Sequence, residues 1–195
     1  MRVIAGTLRS RTLQAPAGLA TRPTSDRLRE TLFNVLAPRI RGAIFADLYA
    51  GSGAVGIEAL SRGAKHVLFA ERAPAALKTL RANLGQLGLN TGFEISGSSV
   101  AACFRRSASV PFDLVFLDPP YDAAEEYAVT LNHLGNFSLG FLAPGALVIA
   151  EHRRKQSLDA HYSSLVRTRL LQQGDASLSF YALGEPAPGD SAGSN

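Results

Sequence analysis

The stretch ADLYAGSGAVGIEAL, residues 46–60, joins a short apolar run to a helical pattern through a turn that contains three glycines. Gly51, Gly53 and Gly56 satisfy G-x-G-x-x-G, a spacing that lets backbone N–H groups at a helix N-terminus approach a ligand closely. A strand, a glycine turn and a helix in this order predict the first βα unit of a doubly wound α/β fold. The glycine string by itself is a weak signal, because many ligands use it.

The same alternation of apolar runs and helical patterns continues along the chain. Parallel strands are expected at 44–49, 67–70, 93–96, 114–117 and 146–150, with helices at about 55–62, 74–87, 99–106 and 123–134. Two further apolar runs, 165–171 and 177–183, are joined by only five residues, which requires an antiparallel hairpin. The pattern predicts a mostly parallel seven-stranded sheet covered on both faces, an order that resembles the class I methyltransferase (Rossmann-like) fold.

Positive charge is concentrated at the start of the chain. Residues 1–41 hold eight arginines against two acids, a net charge of +6, whereas the rest of the chain carries −2. Arginine's planar fork suits phosphate and stacks on bases, so a nucleic-acid partner is a fair inference, although a solvated basic surface would look the same. We predict an N-terminal extension over 1–41 (a hairpin and a helix), a main domain over 42–183 and a flexible tail over 184–195.

Composition excludes several other classes of protein. The chain has 195 residues and no apolar run close to the roughly 20 residues that cross a membrane. Its single cysteine, Cys103, cannot form an internal disulfide, which fits a reducing cytoplasm. The four histidines show no metal-ligand spacing. We therefore expect a cytoplasmic protein with no metal and no membrane partner.

Two acids near the glycine turn leave two cofactors open. Glu71 closes the next expected strand, 20 residues after Gly51, where a carboxylate can bind the ribose hydroxyls of NAD. Asp47 lies inside the first strand, where it would repel a pyrophosphate but suit the ammonium group of S-adenosylmethionine. Both acids also have structural interpretations: Asp47 could cap a helix, and Glu71 could be a solvated acid paired with Arg72.

The second motif, LVFLDPPYD at residues 114–122, stops an apolar strand with an acid, two prolines and an aromatic residue. An exocyclic amino group of a base is a poor nucleophile because its lone pair is delocalised into the ring. Acceptors on its two hydrogens would favour the tetrahedral geometry needed to attack a methyl sulfonium. Asp118 and the Pro119 carbonyl can be those acceptors. Tyr121 can stack on the base, and Pro120 keeps the turn rigid; a simple proline-rich turn is the structural alternative.

Four stretches together resemble the RsmD-type 16S rRNA (guanine(966)-N(2))-methyltransferases of bacteria. They are RVIAG at 2–6, RPTSDRLRETLFNVL at 22–36, DLYAGSGAVGIEALSRGA at 47–64 and FLDPPYD at 116–122. The second stretch is long and specific, and it separates this family from other DPPY enzymes. The resemblance implies methyl transfer from S-adenosylmethionine to the N2 of a guanine, with 16S rRNA or a small-subunit assembly intermediate as the partner.

The resemblance also implies which residues form the site. The guanine would be engaged by Asp118, Pro119, Pro120 and Tyr121. The cofactor site would be lined by Asp47, Gly51, Ser52, Gly53 and Glu71. We expect Tyr49, Arg72, Ser98 and Ser99 to contact the cofactor as well. Arg22, Thr24, Arg27 and Arg29 match the family's N-terminal motif, which we place beside the RNA or closing over the cofactor. Together with Arg11 of the same basic segment they are the expected RNA contacts, and we expect the protein to be a monomer.

The sequence departs from the family pattern in two places. Ser10-Arg11 stands where the family often has Gly-Arg, and SGSSV offers Ser98 and Ser99 where many methyltransferases carry Asp or Asn for the adenine amino group. Two other functions remain open: an NAD(P)-dependent oxidoreductase, and an RNA-binding assembly factor whose methylation is incidental. DNA adenine and protein glutamine methyltransferases have similar motifs, but the glutamine enzymes generally have Asn in place of Asp118.

Overall fold

The computed structural model of the protein describes residues 1–15, 26–106, 110–120 and 123–184. The helices are α1 Asp26–Leu36, α2 Ala54–Ser61, α3 Pro74–Gln86, α4 Val100–Arg106 and α5 Ala124–Leu134, followed by a 3-10 turn, Phe137–Leu139. The strands are β1 Ile44–Leu48, β2 His66–Ala70, β3 Phe93–Ser96, β4 Phe112–Leu117, β5 Leu142–Arg153, β6 His161–Tyr162, β7 Leu165–Gln173 and β8 Ala176–Leu183. Within these ranges, no helix is long and apolar enough to cross a membrane.

The strands form one sheet in the order β3-β2-β1-β4-β5-β8-β7-β6. The first five strands in this order are parallel, and β8, β7 and β6 each run antiparallel to the preceding strand. This confirms the doubly wound sheet with a closing hairpin. The predicted number of seven strands is wrong by one, because the two-residue β6 has no apolar run that would mark it.

Burial on both faces explains why the strands read as continuous apolar runs. Successive residues of β1 and β4 alternate between two hydrophobic clusters, one on each face: Phe45 and Phe116 lie in the first, Leu48 and Val115 in the second. The chain proceeds outward from β1 to β3 and then returns to β4 on the other side of β1. The crevice at the carboxyl ends of β1 and β4 is therefore the topological switch point, where such sheets bind ligands.

The N-terminal segment, residues 1–15, packs on the first of these clusters. Its predicted hairpin is present only as a single bridge, Arg2 with Thr12, flanked by backbone hydrogen bonds such as Ser10 N to Val3 O at 2.9 Å. Ser10 has φ 67°, the left-handed region that favours glycine, so the serine that replaces the family's usual glycine adopts the glycine conformation. Val3 and Leu13 are buried in the same cluster as α1.

A buried carboxylate fixes this segment to α2. Glu58 accepts hydrogen bonds from Ile4 N (2.7 Å) and Ala5 N (2.9 Å), and its Oε1 lies 2.7 Å from Arg62 Nε. Arg29 of α1 is fully buried beside it, with its Nε 3.9 Å from Glu58 Oε2. The Arg29 Nη2 donates to Asp26 Oδ1 at 3.0 Å and to the carbonyl of Arg2.

The prediction that Arg29 contacts RNA is therefore wrong for this structure. Its guanidinium lies inside the protein, where burial lowers its pKa and the charges of Glu58 and Asp26 oppose that shift. Nη2 alone makes its hydrogen bonds, while Nε and Nη1 have no hydrogen-bond partner among the described residues. The side chain is fully buried, so it is closed to a phosphate in this structure. Arg29 instead lies between two acids, Asp26 and Glu58.

Replacing Glu58 with glutamine should destabilise the protein by about 3 kcal/mol or more, because it removes the buried carboxylate that lies beside Arg29 and pairs with Arg62. Arg29 would then keep only the half-exposed Asp26 as a counter-charge. Chemical denaturation of Glu58→Gln against the parent protein measures this loss. The matched control is Glu30→Gln, which removes an exposed carboxylate on α1 and should change stability by no more than about 0.5 kcal/mol. Equal effects for the two variants would contradict the role assigned to Glu58.

Candidate active site

The two sequence motifs meet at the carboxyl ends of β1 and β4. The strands pair with Asp47 opposite Phe116 and Leu48 opposite Leu117, so Asp118 is the first residue beyond the paired part of β4. The Asp118 N–H donates to Leu48 O at 3.4 Å. The glycine turn that follows β1 and the DPP segment that follows β4 therefore line the same crevice.

The glycine turn has the geometry that its sequence predicts. Gly53 is the N-cap of α2 at φ 79°, and Gly51 has φ 56°, both in the left-handed region. A Cβ on Gly56 would collide with the ring of Phe69, so glycine there allows α2 to lie close to β2. The buried Asn83 of α3 donates from Nδ2 to Ser52 O at 2.9 Å and holds the turn from below. Asn83 could not be predicted from local pattern, because its partner lies 31 residues away.

Asp47 is buried at the base of the crevice, and its Oδ2 accepts a hydrogen bond from Gly56 N at 2.8 Å. The carboxylate thus caps the first turn of α2, the structural role considered for it. Burial raises its pKa to about 8; the Gly56 N–H lowers the pKa and the charge of Glu71 adds to the rise. A cationic ligand in the crevice would stabilise the ionised form.

Glu71 is tied to the glycine turn rather than to Arg72. Its Oε2 accepts from Gly51 N at 2.8 Å and its Oε1 from Ala73 N at 2.7 Å. The Arg72 side chain is 61% exposed and lies 3.9 Å from a carboxylate oxygen of Glu126. The suggested pairing of Glu71 with Arg72 is therefore not the one that the structure forms.

Tyr49 points toward α5. It has φ 63°, and its hydroxyl donates to Glu126 Oε2 at 2.8 Å and lies 2.8 Å from Thr130 Oγ1. Burial raises the pKa of Tyr49. The Tyr49 hydroxyl and Arg72, both predicted cofactor contacts, thus meet at Glu126, an acid of α5 that the sequence analysis did not single out.

The two serines after β3 have different settings. The Ser99 Oγ accepts from Ala102 N at 3.3 Å at the start of α4. The Ser98 hydroxyl lies 2.8 Å from Ser96 Oγ. Ser98 and Ser99 both follow the carboxyl end of β3. The neighbouring strand in the sheet is β2, which is followed by Glu71.

Asp118 is half-buried, Pro119 is buried and Pro120 is exposed. The Pro120 carbonyl accepts from Ala123 N at 2.9 Å, just before α5. Burial raises the pKa of Asp118 well above its usual range, and the charges of Glu151 and Asp47 raise it further. Tyr121, the predicted stacking residue, lies outside the described residues.

Glu151 was missed by the sequence analysis. It is buried in β5, one residue beyond Ala150, which pairs with the last residue of β4. An acid directly after the apolar core of a parallel strand was the available signal. Asp47, Glu71, Asp118 and Glu151 together make the crevice acidic, and in the described ranges His, Cys, Asp and Glu form no group of three that could hold a metal ion.

The structure describes three of the five predicted RNA contacts. Arg27 is exposed at the start of α1, and exposed Arg11 donates to the carbonyl of Gln86 at 3.3 Å. Arg29 is buried, as described above. Arg22 and Thr24 lie outside the described residues.

The parallel sheet, the glycine turn and the acid-lined crevice define a class I methyltransferase fold. A sequence model of the family described as "Conserved hypothetical protein 95" matches residues 1–182, and the chain belongs to this family, the RsmD family. It is 36% identical to "Putative rRNA methyltransferase YlbH" of Bacillus subtilis, over 93% of this chain and 98% of the relative.

Two further matches come from Escherichia coli. "Ribosomal RNA small subunit methyltransferase D" of strain K12 is 38% identical, over 81% of this chain and 77% of the relative. The solved structure described as "Putative methyltransferase yhhF" superposes with a TM-score of 0.80 at 32% identity, covering 94% of this chain and 98% of that chain. The likeness extends over nearly the whole chain, including the N-terminal segment.

The raised pKa of Asp47 predicts a pH-dependent stability in the ligand-free protein. The folded state holds the proton up to about pH 8, whereas the unfolded chain releases it near pH 4, so the free energy of unfolding should fall as pH rises between these values. Asp47→Asn should remove part of this slope, the rest belonging to Asp118. Denaturation at several pH values measures it.

The control for Asp47→Asn is Glu94→Gln, which removes an exposed carboxylate on β3. It should leave the dependence on pH unchanged. A parent protein whose stability is flat between pH 5 and pH 8, or an Asp47→Asn variant with the full parental slope, would show that Asp47 is ionised in the folded protein.

Proposed function

We propose that this protein transfers a methyl group from S-adenosylmethionine to the exocyclic N2 of a guanine in 16S rRNA during assembly of the small subunit. The proposed nucleotide is guanine 966, the position in the rRNA that the name of the family states. The observation that carries the proposal is the position of Asp118 and Pro119 at the switch point, directly beside the glycine turn. The family and its curated rRNA methyltransferase relatives support the same conclusion.

The charge of the crevice supports S-adenosylmethionine over NAD. Glu71 brings negative charge to the glycine turn, and a cationic ligand would ionise Asp47 beside it. The cation next to Glu71 in sequence, Arg72, lies 3.9 Å from Glu126 instead. A pyrophosphate would meet repulsion there, whereas an ammonium and a sulfonium would be attracted. In this proposal Asp47 faces the ammonium, Glu71 binds the ribose hydroxyls, and the amides of the glycine turn fix the remaining polar groups.

S-adenosylmethionine, when bound, supplies an electrophilic methyl group on a sulfonium. Asp118 accepts a hydrogen bond from one N–H of the guanine amino group, and the Pro119 carbonyl accepts from the other. These two acceptors hold the nitrogen with its lone pair directed at the methyl group. As the N–C bond forms, the nitrogen loses one proton, which Asp118 receives or passes to water, and the sulfur leaves as a neutral thioether.

The raised pKa of Asp118 has a place in this mechanism. A protonated Asp118 would donate rather than accept, and the neighbouring charges of Glu151 and Asp47 favour that protonated form in the empty site. A cation in the crevice offsets those charges and lowers the pKa of Asp118. The acceptor is thereby available when the methyl donor is in place.

The defining experiment uses S-adenosylmethionine with a tritiated methyl group and small-subunit rRNA or assembly intermediates. Label should appear on a guanine, and mapping rRNA from cells with and without the gene should identify the nucleotide. Label on adenine or on protein would refute the substrate. Stabilisation of the protein by NAD(H) but not by S-adenosylmethionine in a thermal-shift assay would favour an oxidoreductase instead.

Replacing Asp118 with alanine should lower kcat roughly 100-fold or more while cofactor affinity stays within a few-fold, because Asp118 acts at the reacting nitrogen. Single-turnover kinetics and calorimetric titration with S-adenosylhomocysteine separate the two quantities. Glu125→Ala, which removes an exposed acid from the first turn of α5, is the control and should retain activity. An Asp118→Ala variant that loses cofactor binding would assign Asp118 to the cofactor site.

A catalytically inactive Asp118→Ala protein also tests the remaining alternative. If it restores the growth of a deletion strain as well as the parent protein does, the chain acts mainly as an RNA-binding assembly factor. If only the active protein restores growth, methylation is the function that cells require.

A further inference from the structure

The fifth strand continues past the edge at which the other parallel strands stop. Leu117, the last residue of β4, pairs with Ala150, and β5 then runs on through Glu151 and His152 to Arg153, supported by β8 alone. Arg153 and the next two residues, Arg154 and Lys155, are exposed. Three consecutive cations therefore lie at the rim of the crevice, on the same edge of the sheet as Asp118. We refer to residues 153–155 as the β5 turn.

The β5 turn is held in place by its own hydrogen bonds. Arg154 N donates to Asp175 O at 2.8 Å, and Gln156 N donates to Arg153 O at 2.9 Å. Beneath it, the ring of the buried His152 lies 3.0 Å from Arg153 O through Nδ1 and 2.9 Å from Ser179 Oγ through Nε2. Cations on a fixed backbone lose less conformational freedom on binding than cations on a mobile loop.

The start of α1 lies at the same edge. Thr31 of α1 donates from Oγ1 to Gln173 Oε1 at 2.9 Å, and Gln173 pairs with Ala176, the residue opposite Arg153 in β5. Exposed Arg27 lies one helical turn before Thr31, toward the N-terminus of α1. Hence Arg27 and the β5 turn are both attached to the end of the sheet that carries the site.

An acidic crevice poses an electrostatic problem for an RNA substrate. Glu71 and Glu151 attract a cationic methyl donor, and Asp47 and Asp118 become ionised when it binds. The same carboxylates repel phosphates that approach the opening. Cations at the rim can offset that repulsion without entering the crevice. Across the described ranges the structure pairs neither the Arg154 nor the Lys155 side chain with an acid, so both charges face solvent.

We propose that Arg154 and Lys155, assisted by Arg153, form a second phosphate-binding surface that holds the rRNA backbone at the rim of the crevice, in addition to the exposed Arg11 and Arg27 near the start of the chain. This inference rests on the proposed RNA substrate and adds a contact that net charge along the sequence does not reveal, since residues 42–195 are acidic overall. Phosphate contacts of this kind position the RNA and carry no base specificity.

The test compares two double variants with the same change in charge. Arg154→Gln/Lys155→Gln alters the β5 turn, and Arg41→Gln/Lys65→Gln removes two exposed cations at the amino edge of the sheet, beside the starts of β1 and β2. Binding of a small-subunit rRNA fragment is measured over a range of salt concentrations. The first variant should reduce the salt slope by roughly 1.4 to 1.8 units, two contacts at about 0.7 to 0.9 each, and the second should leave it unchanged.

The outcomes separate this inference from the proposed function. Calorimetric affinity for S-adenosylhomocysteine should be the same in the parent and both variants, which shows that the fold and the cofactor site are intact. An unchanged salt slope in Arg154→Gln/Lys155→Gln, or an equal reduction in both variants, would overturn the second surface while leaving methylation by the parent protein untouched. Absence of any guanine methylation by the parent protein would instead overturn the proposed function.

Discussion

The carboxylate of Glu58 is the interaction on which much of the rest depends. It joins the backbone of Ile4 and Ala5 to α2 and lies beside the buried Arg29 of α1. Buried charges are stable only when they are paired and hydrogen-bonded, so this cluster fixes three separate parts of the chain relative to one another. Because α2 begins at the glycine turn and its first turn is bound by Asp47, the position of the N-terminal segment is linked mechanically to the floor of the crevice.

The sequence predicted the parallel sheet well because strands buried on both faces are uninterrupted apolar runs. The range 93–96 coincides with β3, and 44–49 exceeds β1 by one residue. The long β5 was predicted only as 146–150, because its extension through Glu151 and His152 is polar and is set by pairing with β8, about 27 residues later. The local sequence pattern indicates which part of a strand is buried. It does not indicate how far the strand extends through pairing with a strand that is distant in sequence.

The same limit applies to the candidate site. Asp47, Glu71 and Asp118 could be predicted because each stands at or near the end of an apolar run. Glu126 and Asn83 could not, since each acts on residues far along the chain. Arg29 shows why a count of charges is not enough to predict an RNA contact. It lies three and four residues before Leu32 and Phe33, on the apolar side of α1. That helical spacing predicts a buried side chain, whereas the charge alone suggested contact with RNA.

The placement of the N-terminal segment decides how its role can be studied. Removing it would take Val3 and Leu13 out of the core, leave Glu58 without two of its donors and expose the apolar side of α1. A truncated protein would then lose RNA binding for reasons of folding alone. Exposed Arg11 and Arg27 contribute nothing to that core, so substitutions at these two positions can change phosphate contacts while the crevice keeps its shape. The N-terminal segment is therefore a structural part of the fold, and only its exposed side chains are available to contact RNA.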